Sequence, residues 1–254
     1  MFSDLTDDMD DLDGFSIEPN FMLDVPFVPT DEALVAAMLK LADLNKTDRL
    51  YDLGAGDGRI VITAAQQLGI QAIGVELDPL RVADAMENAA HARVEHLVDF
   101  IEDDLFEADF SSATVVTMYL MDSVNLLLRP RLLNELKPGT RIVSHAFDMG
   151  DWRADIELDL GGVTLFKWIV PAQVAGAWQW EGPDSQLYHL ELEQKYQQVT
   201  GTLWVNDAPV ALQKLLLSGT VLELSLQPDT ASPVQHLKLH FEDQASPEVE
   251  WLGG

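Results

Sequence analysis

Tyr51-Asp52-Leu53-Gly54-Ala55-Gly56-Asp57-Gly58-Arg59 is the stretch on which the fold turns. Before it, Arg49 to Leu53 reads as a short strand. After it, Ile60 to Leu68 has helical periodicity and stops near Gly69. A glycine-rich loop between strand and helix turns tightly and lets backbone approach a ligand with no Cβ in the way. The spacing departs from the dinucleotide fingerprint G-x-G-x-x-G, because Gly58 arrives one residue early and Arg59 holds the fingerprint position. A pyrophosphate cradle would also be a poor place for Asp52 and Asp57. The loop therefore predicts a ligand that carries positive charge.

Two further acidic stretches join it. About 20 residues on comes Gly74-Val75-Glu76-Leu77-Asp78, with Glu76 at the end of the next strand, where an acid hydrogen-bonds ribose hydroxyls. After a third strand comes Phe100-Ile101-Glu102-Asp103-Asp104-Leu105-Phe106. Here an Asp can accept from an adenine amino group while an apolar neighbour covers the ring; Asp104 is the first candidate, Asp103 the second, and Leu105 the cover. S-adenosylmethionine combines adenosine with an ammonium and a sulfonium, and suits all three stretches. The expected cofactor contacts are Asp52, Gly54, Ala55, Gly56, Glu76, Leu77, Asp103, Asp104 and Leu105. All stand at strand carboxyl ends, where open α/β sheets bind ligands.

Strand and helix alternate through this half of the chain. The expected order is a helix after Thr30, with Leu34, Met38, Leu41 and Leu44 inward; then the strands and helices Arg49–Leu53, Ile60–Leu68, Ala72–Leu77, Pro79–His91, Val98–Ile101, Ala113–Leu120, Ser123–Leu136 and Thr140–Phe147. In Pro79–His91 the inward residues are Val82, Met86 and Ala89 or Ala90, and Pro130 is expected to kink or divide its helix. Thr30 is read as a helix cap. Ile156–Leu160 and Val163–Val170 read as a hairpin through Gly161-Gly162. The fold class is α/β: a Rossmann-like, mostly parallel sheet with helices on both faces.

Beyond Pro171 helical periodicity nearly vanishes. Tyr188-Leu190-Leu192, Leu203-Val205, Leu222-Leu224-Leu226 and Leu237-Leu239-Phe241 alternate with a period of two, punctuated by Gly201, Asn206-Asp207, Ser218-Gly219 and Pro228-Asp229. They predict a small antiparallel β-meander domain of six or seven strands. The expected division is an acidic, flexible tail over 1–24, a cofactor-binding domain over 25–170 and a β-rich domain over 171–254.

Composition narrows the function classes. The chain has 254 residues and no cysteine, which excludes disulfides, thiolate zinc sites and cysteine nucleophiles. Its formal net charge is −28, so it repels nucleic acid phosphate over most of its surface; the acidity serves solubility, as in a salty habitat, or attracts basic, lysine-bearing proteins. No apolar run reaches the ~18–20 residues of a membrane helix, and no basic-then-apolar leader opens the chain. The expectation is a cytoplasmic protein with no membrane insertion and no nucleic acid partner.

Asp52 to Arg59, Glu76 and Asp104 together resemble the successive cofactor motifs of class I, seven-β-strand S-adenosylmethionine-dependent methyltransferases, over roughly Pro26 to Val170. Three further stretches are similar to the protein-lysine methyltransferase group of the mitochondrial ATP synthase c-subunit enzyme and archaeal lysine methyltransferases: Pro26-Phe27-Val28-Pro29-Thr30, Thr117 to Asn125, and Leu136 to His145. That resemblance implies methyl transfer to a protein lysine, with the first stretch closing over the cofactor and Thr30 lining its pocket. It also implies an acceptor site near Tyr119 to Asp122. This segment, Tyr119-Leu120-Met121-Asp122, is not the N-P-P-Y or D-P-P-Y signature that accepts planar amino groups. Tyr119 is the candidate to orient the amine or contact its cation, and it borders the cofactor as well. Asp122 is the candidate to attract the ammonium, or else a helix cap. His145 is read as a packing or hydrogen-bonded residue, with a base or contact role as the alternative. His236 and His240 have helical ligand spacing but lie in an expected strand, so no metal site is read. Trp178, Trp180 and Trp204 are expected in the core of the β-domain. Two other readings share every cofactor residue: a small-molecule methyltransferase, and a non-catalytic S-adenosylmethionine-binding protein.

Overall fold

The computed structural model describes residues 27–183, 185–227, 232–241 and 246–252. The acidic stretch 1–24, Pro26 and the turn at Pro228-Asp229 lie outside them. The first half is a seven-stranded sheet built from β1 (Arg49–Leu53), β2 (Gln71–Glu76), β3 (Val98–Glu102), β4 (Val115–Met118), β5 (Arg141–His145), β6 (Ile156–Leu160) and β7 (Val163–Ile169), in the order β3-β2-β1-β4-β5-β7-β6. The strands from β3 to β5 pair in parallel, and β7 runs antiparallel to both β5 and β6. Strand order reverses between β1 and β4, so the loops that follow these two strands diverge and leave a crevice.

Helices cover both faces. Helices α1 (Glu32–Leu41), α2 (Arg59–Leu68) and α3 (Pro79–Ala92) pack around one buried cluster that includes Val35, Val61, Ala89 and Val143. Helix α4 (Asp122–Glu135) packs on the other face with Phe110, Trp152 and Trp168. Pro130 stays inside α4 as one continuous helix. Other sequence expectations shift in detail. Asp31 caps α1, its side chain accepting from the Ala33 amide, whereas Thr30 is buried and bonds elsewhere. Met38 is buried as expected and Leu41 and Leu44 pack against the same cluster, while Val35 and Leu39 complete the buried face of α1 and Leu34 is only half-buried. Met86 is 57% exposed and Ala85 takes its inward place.

The second half is a separate antiparallel meander of seven strands in sequence order, β8 (Gly176–Glu181), β9 (Leu187–Lys195), β10 (Gln198–Val205), β11 (Ala208–Ser218), β12 (Val221–Gln227), β13 (Gln235–His240) and β14 (Glu248–Trp251). The alternating residues read from the sequence all point inward into one core, from Tyr188 and Leu190 through to Leu239 and Phe241. Trp178 and Trp180 pack against that core. Trp204 does not; it lies on the outer face, where its ring stacks on His189 at 5.1 Å. The sheet curls, so that Tyr188 of β9 meets Trp251 of β14 with ring centroids 5.2 Å apart. The turn between β9 and β10 docks on the loop after β5. Trp152 donates through Nε1 to Gln197 Oε1 at 2.9 Å, and Tyr196 stacks on Trp152 at 5.9 Å. His236 and His240 bond to Ser225 and Glu250 respectively, and no metal-holding cluster occurs among the described residues.

Candidate active site

The crevice at the strand reversal is a cleft, open to solvent, lined by residues from the carboxyl ends of β1, β2, β3 and β4 and from the segment before α1. Asp52 ends β1 at its floor, 2% exposed. Its register partner on β4 is Thr117, whose hydroxyl donates to Asp52 Oδ1 at 2.7 Å. Burial pushes the Asp52 carboxyl up to about 7, against the lowering effect of the Thr117 bond and with help from nearby Glu76 and Asp57. A buried carboxylate so reluctant to ionise is stabilised by a bound cation.

Glu76 ends β2 beside it and collects three backbone amides. Oε2 accepts from Gly56 at 2.8 Å, and Oε1 from Leu77 and Asp78 at 3.0 Å each. These bonds fix the carboxylate at the mouth of the glycine loop. Gly56 has φ +54°, and a Cβ there would lie 2.4 Å from the Phe27 ring. Gly58 opens α2 at φ +77°, where a Cβ would lie 2.6 Å from Phe100. Both positions thus exclude side chains on grounds of space as well as conformation. Asp57 is half-buried, which works against its ionisation. The guanidinium of Arg59, with Arg81 beyond, outweighs that and holds the carboxyl below its ordinary range. Arg59 also donates to the Thr30 carbonyl at 2.7 Å, tying the segment before α1 to the loop.

Asp103 and Asp104 follow β3, and each commits an oxygen to a backbone amide: Asp103 to Asp104 N, and Asp104 to Phe106 N, both at 2.8 Å. Tyr119 follows β4. Its ring stacks on His145 with centroids 3.8 Å apart and on Phe147 at 6.2 Å. His145 is buried at the end of β5, its Nδ1 3.2 Å from the Thr30 hydroxyl. Burial lowers its pKa, so the imidazole is neutral at pH 7.

Of the residues expected from sequence, Thr30, Asp52, Gly54, Ala55, Glu76, Leu77, Asp103, Asp104, Leu105 and Tyr119 all line this one cleft. Gly56 lies just behind the surface and acts through its amide. Asp122 does not join them; it is exposed in the first turn of α4, and Met121 occupies the cap position. Phe27 of the first stretch and Leu120 of the Tyr119-to-Asp122 segment also line the cleft, and so does Arg81, which had no role in the sequence reading. The guanidinium of Arg81 lies 5.0 Å over the Phe27 ring, closing one wall. Only the alternation of helix and loop pointed to Arg81, one residue among several polar ones on α3.

Comparison with known proteins converges on one activity. Residues 52–156 match the family model of the ANTKMT methyltransferase domain. A protein-lysine N-methyltransferase of Saccharolobus islandicus is 46% identical over 129 residues, 50% of this chain and 80% of that protein. The adenine nucleotide translocase lysine N-methyltransferase of Mus musculus is 36% identical over 141 residues; the match covers 55% of this chain and 60% of that protein's length. A solved structure titled as an RNA methyltransferase of Salinibacter ruber, in complex with S-adenosyl-L-homocysteine, is 54% identical, covers 58% of this chain and 96% of its own, and superposes with a TM-score of 0.57.

Proposed function

The chain belongs to the family of S-adenosylmethionine-dependent methyltransferases that holds the archaeal protein-lysine N-methyltransferase, and from that premise we propose that its acceptor is a lysine amine of a protein. The cleft fits the cofactor on its own chemistry: a buried carboxylate raised to about 7 favours a cation, and the glycine loop has no room for a Cβ. Asp52 faces the positive end, Glu76 the ribose, and Asp104 or Asp103 with Leu105 the adenine, while Gly54, Ala55, Gly56, Leu77, Thr30 and Tyr119 complete the contacts. S-adenosylmethionine supplies an electrophilic methyl held on a sulfonium. The protein's part is then alignment and exclusion of water.

Tyr119 orients the acceptor. It lines the cleft, and its ring is clamped by His145 and Phe147, so an amine entering there meets a fixed aromatic edge and hydroxyl. His145 sits behind it, engaged by Thr30 and outside the cleft lining, which makes it a support and leaves the acceptor ammonium to lose its proton to solvent. Asp122, exposed at the start of α4, attracts a basic acceptor without touching it. The net charge of −28 carries the choice of a protein acceptor, because it favours a cationic partner and opposes phosphate. The lack of cysteine supports a cytoplasmic location, and no helix among the described residues is long and apolar enough to cross a membrane. Residues 171–254 form a unit that packs against the catalytic half or presents the acceptor.

The Salinibacter relative, described as an RNA methyltransferase, favours a second acceptor, RNA. Incubating the protein with methyl-labelled S-adenosylmethionine and a lysate from a strain lacking its gene, then separating protein, RNA and small molecules, decides between them. Label in protein, on lysine by mass spectrometry, is expected. Label confined to RNA or to small molecules would remove the lysine reading.

A further inference from the structure

The loop after β5 is built with more care than a connection needs. Asn125 is fully buried inside α4, and its Nδ2 group donates to the carbonyls of Phe147 at 3.2 Å and Asp148 at 3.1 Å, with the Ser144 hydroxyl at 3.4 Å. Ser144 itself donates to the Phe147 carbonyl at 2.7 Å. Carbonyls only accept, so a donor is required at this position; an aliphatic side chain would leave both carbonyls without it, and a buried acid could offer one proton at most. Between Ser144 and Phe147, Ala146 is held at φ +67°, a left-handed conformation that costs a non-glycine residue energy and persists only when its surroundings enforce it. The bend drives the Phe147 ring back toward Tyr119, 6.2 Å centroid to centroid.

We propose that Asn125 is a positioning residue for methyl transfer: acting through the bend at Ala146, it holds Phe147 against Tyr119 and so fixes the ring that the acceptor meets. The inference rests on the reading of Tyr119 as the acceptor-side residue. Phe147 and His145 brace that ring, His145 from β5 and Phe147 from the loop. None of Asn125, Ser144, Ala146 and Phe147 lines the cofactor cleft, so they reach the cofactor only through the border that Tyr119 shares with it, and their main effect falls on the acceptor.

The test uses Phe147→Leu, Asn125→Asp, the double variant and Ser144→Ala in the full-length protein, with total lysate protein as acceptor. Asn125→Asp keeps the shape and leaves at most one donor, the proton of a buried acid. Maximal transfer should fall about tenfold in Phe147→Leu and in Asn125→Asp, the size of effect a displaced orienting group produces. The double variant should be within about twofold of Phe147→Leu, since two residues acting through one contact do not add. Ser144→Ala, which loses one bond of the set, should give about a threefold fall and keeps the claim testable if Asn125→Asp does not fold. Affinity for S-adenosylmethionine by calorimetry should stay within about twofold throughout, which a general loss of structure would not spare. Independent effects that multiply to about a hundredfold in the double variant would overturn the coupling. Full transfer in Phe147→Leu, with Tyr119→Ala impaired, would overturn the proposal alone; full transfer in Tyr119→Ala would remove the reading beneath it.

Discussion

Asp52 and Glu76 stand side by side at the ends of β1 and β2 yet are held in opposite ways. Glu76 has three backbone amides to satisfy it. Asp52 has one hydroxyl and a buried setting that lifts it to about 7. A raised acid binds its proton more tightly in the folded than in the unfolded state. Its ionisation therefore costs stability as pH climbs from the ordinary carboxylate value through about 7, and the cost is complete above that. Asp52→Asn, which keeps an acceptor for Thr117, should stabilise the cofactor-free protein at pH 8 by on the order of 4 kcal/mol and have little effect at pH 4, read from denaturant midpoints. Cofactor affinity should run the other way. The cation prefers the ionised carboxylate, so calorimetric affinity for S-adenosylmethionine should rise as pH passes through about 7 in the wild type and lose that slope in Asp52→Asn. A flat wild-type profile would separate Asp52 from the cation. Glu76→Ala removes charge-assisted bonds and the clamp on Gly56, and should weaken cofactor binding by about 1–3 kcal/mol; unchanged affinity would take Glu76 out of the site.

The strands and the glycine loop were legible because their signals are local. Arg49–Leu53 matches the strand residue for residue, and Arg59–Leu68 begins one residue before the expected helix. The inward residues of β9, β10, β12 and β13 follow from period two alone. β11 was not legible as a strand, because a bulge between Leu212 and Lys214 breaks its alternation. The inner face of α1 was legible in Met38, Leu41 and Leu44 but incomplete, because Val35 and Leu39 flank that stripe and are buried more deeply. The acceptor side was the least legible. Thr30 meets His145 across 115 positions, and Asn125 reaches the loop at Phe147 from another element, so no local pattern announces either contact. The docked turn between β9 and β10 is of the same kind. Tyr196 stacks on Trp152, lies under the guanidinium of Arg129 at 5.6 Å and donates to Asp151. Tyr196→Ala should lower stability by about 2 kcal/mol, with the fluorescence of Trp152 shifting toward that of a solvated indole. An unchanged midpoint and spectrum would show that the two halves do not depend on this contact.

Taken whole, the protein is a methyltransferase sheet followed by a curled meander, and the family model ends at residue 156, before the meander begins. The meander contributes none of the residues lining the cofactor cleft. Its influence on the reaction is therefore expected through packing and through the acceptor. Charge acts over the same distances. With a net charge of −28, encounter with a basic acceptor should weaken as salt screens it, so half-saturation by lysate protein should rise about tenfold between roughly 0.05 and 0.5 M salt at constant maximal rate. A salt-independent half-saturation would argue for an uncharged acceptor surface.

The most direct measurement is a crystal structure of the protein soaked with S-adenosylhomocysteine. The ribose should lie against Glu76, the adenine between Leu105 and the Asp103–Asp104 turn, and the amino-acid end over Asp52, with Tyr119 bordering the sulfur. Density for the ligand anywhere else, with this cleft empty in crystals of protein that transfers methyl in solution, would contradict it.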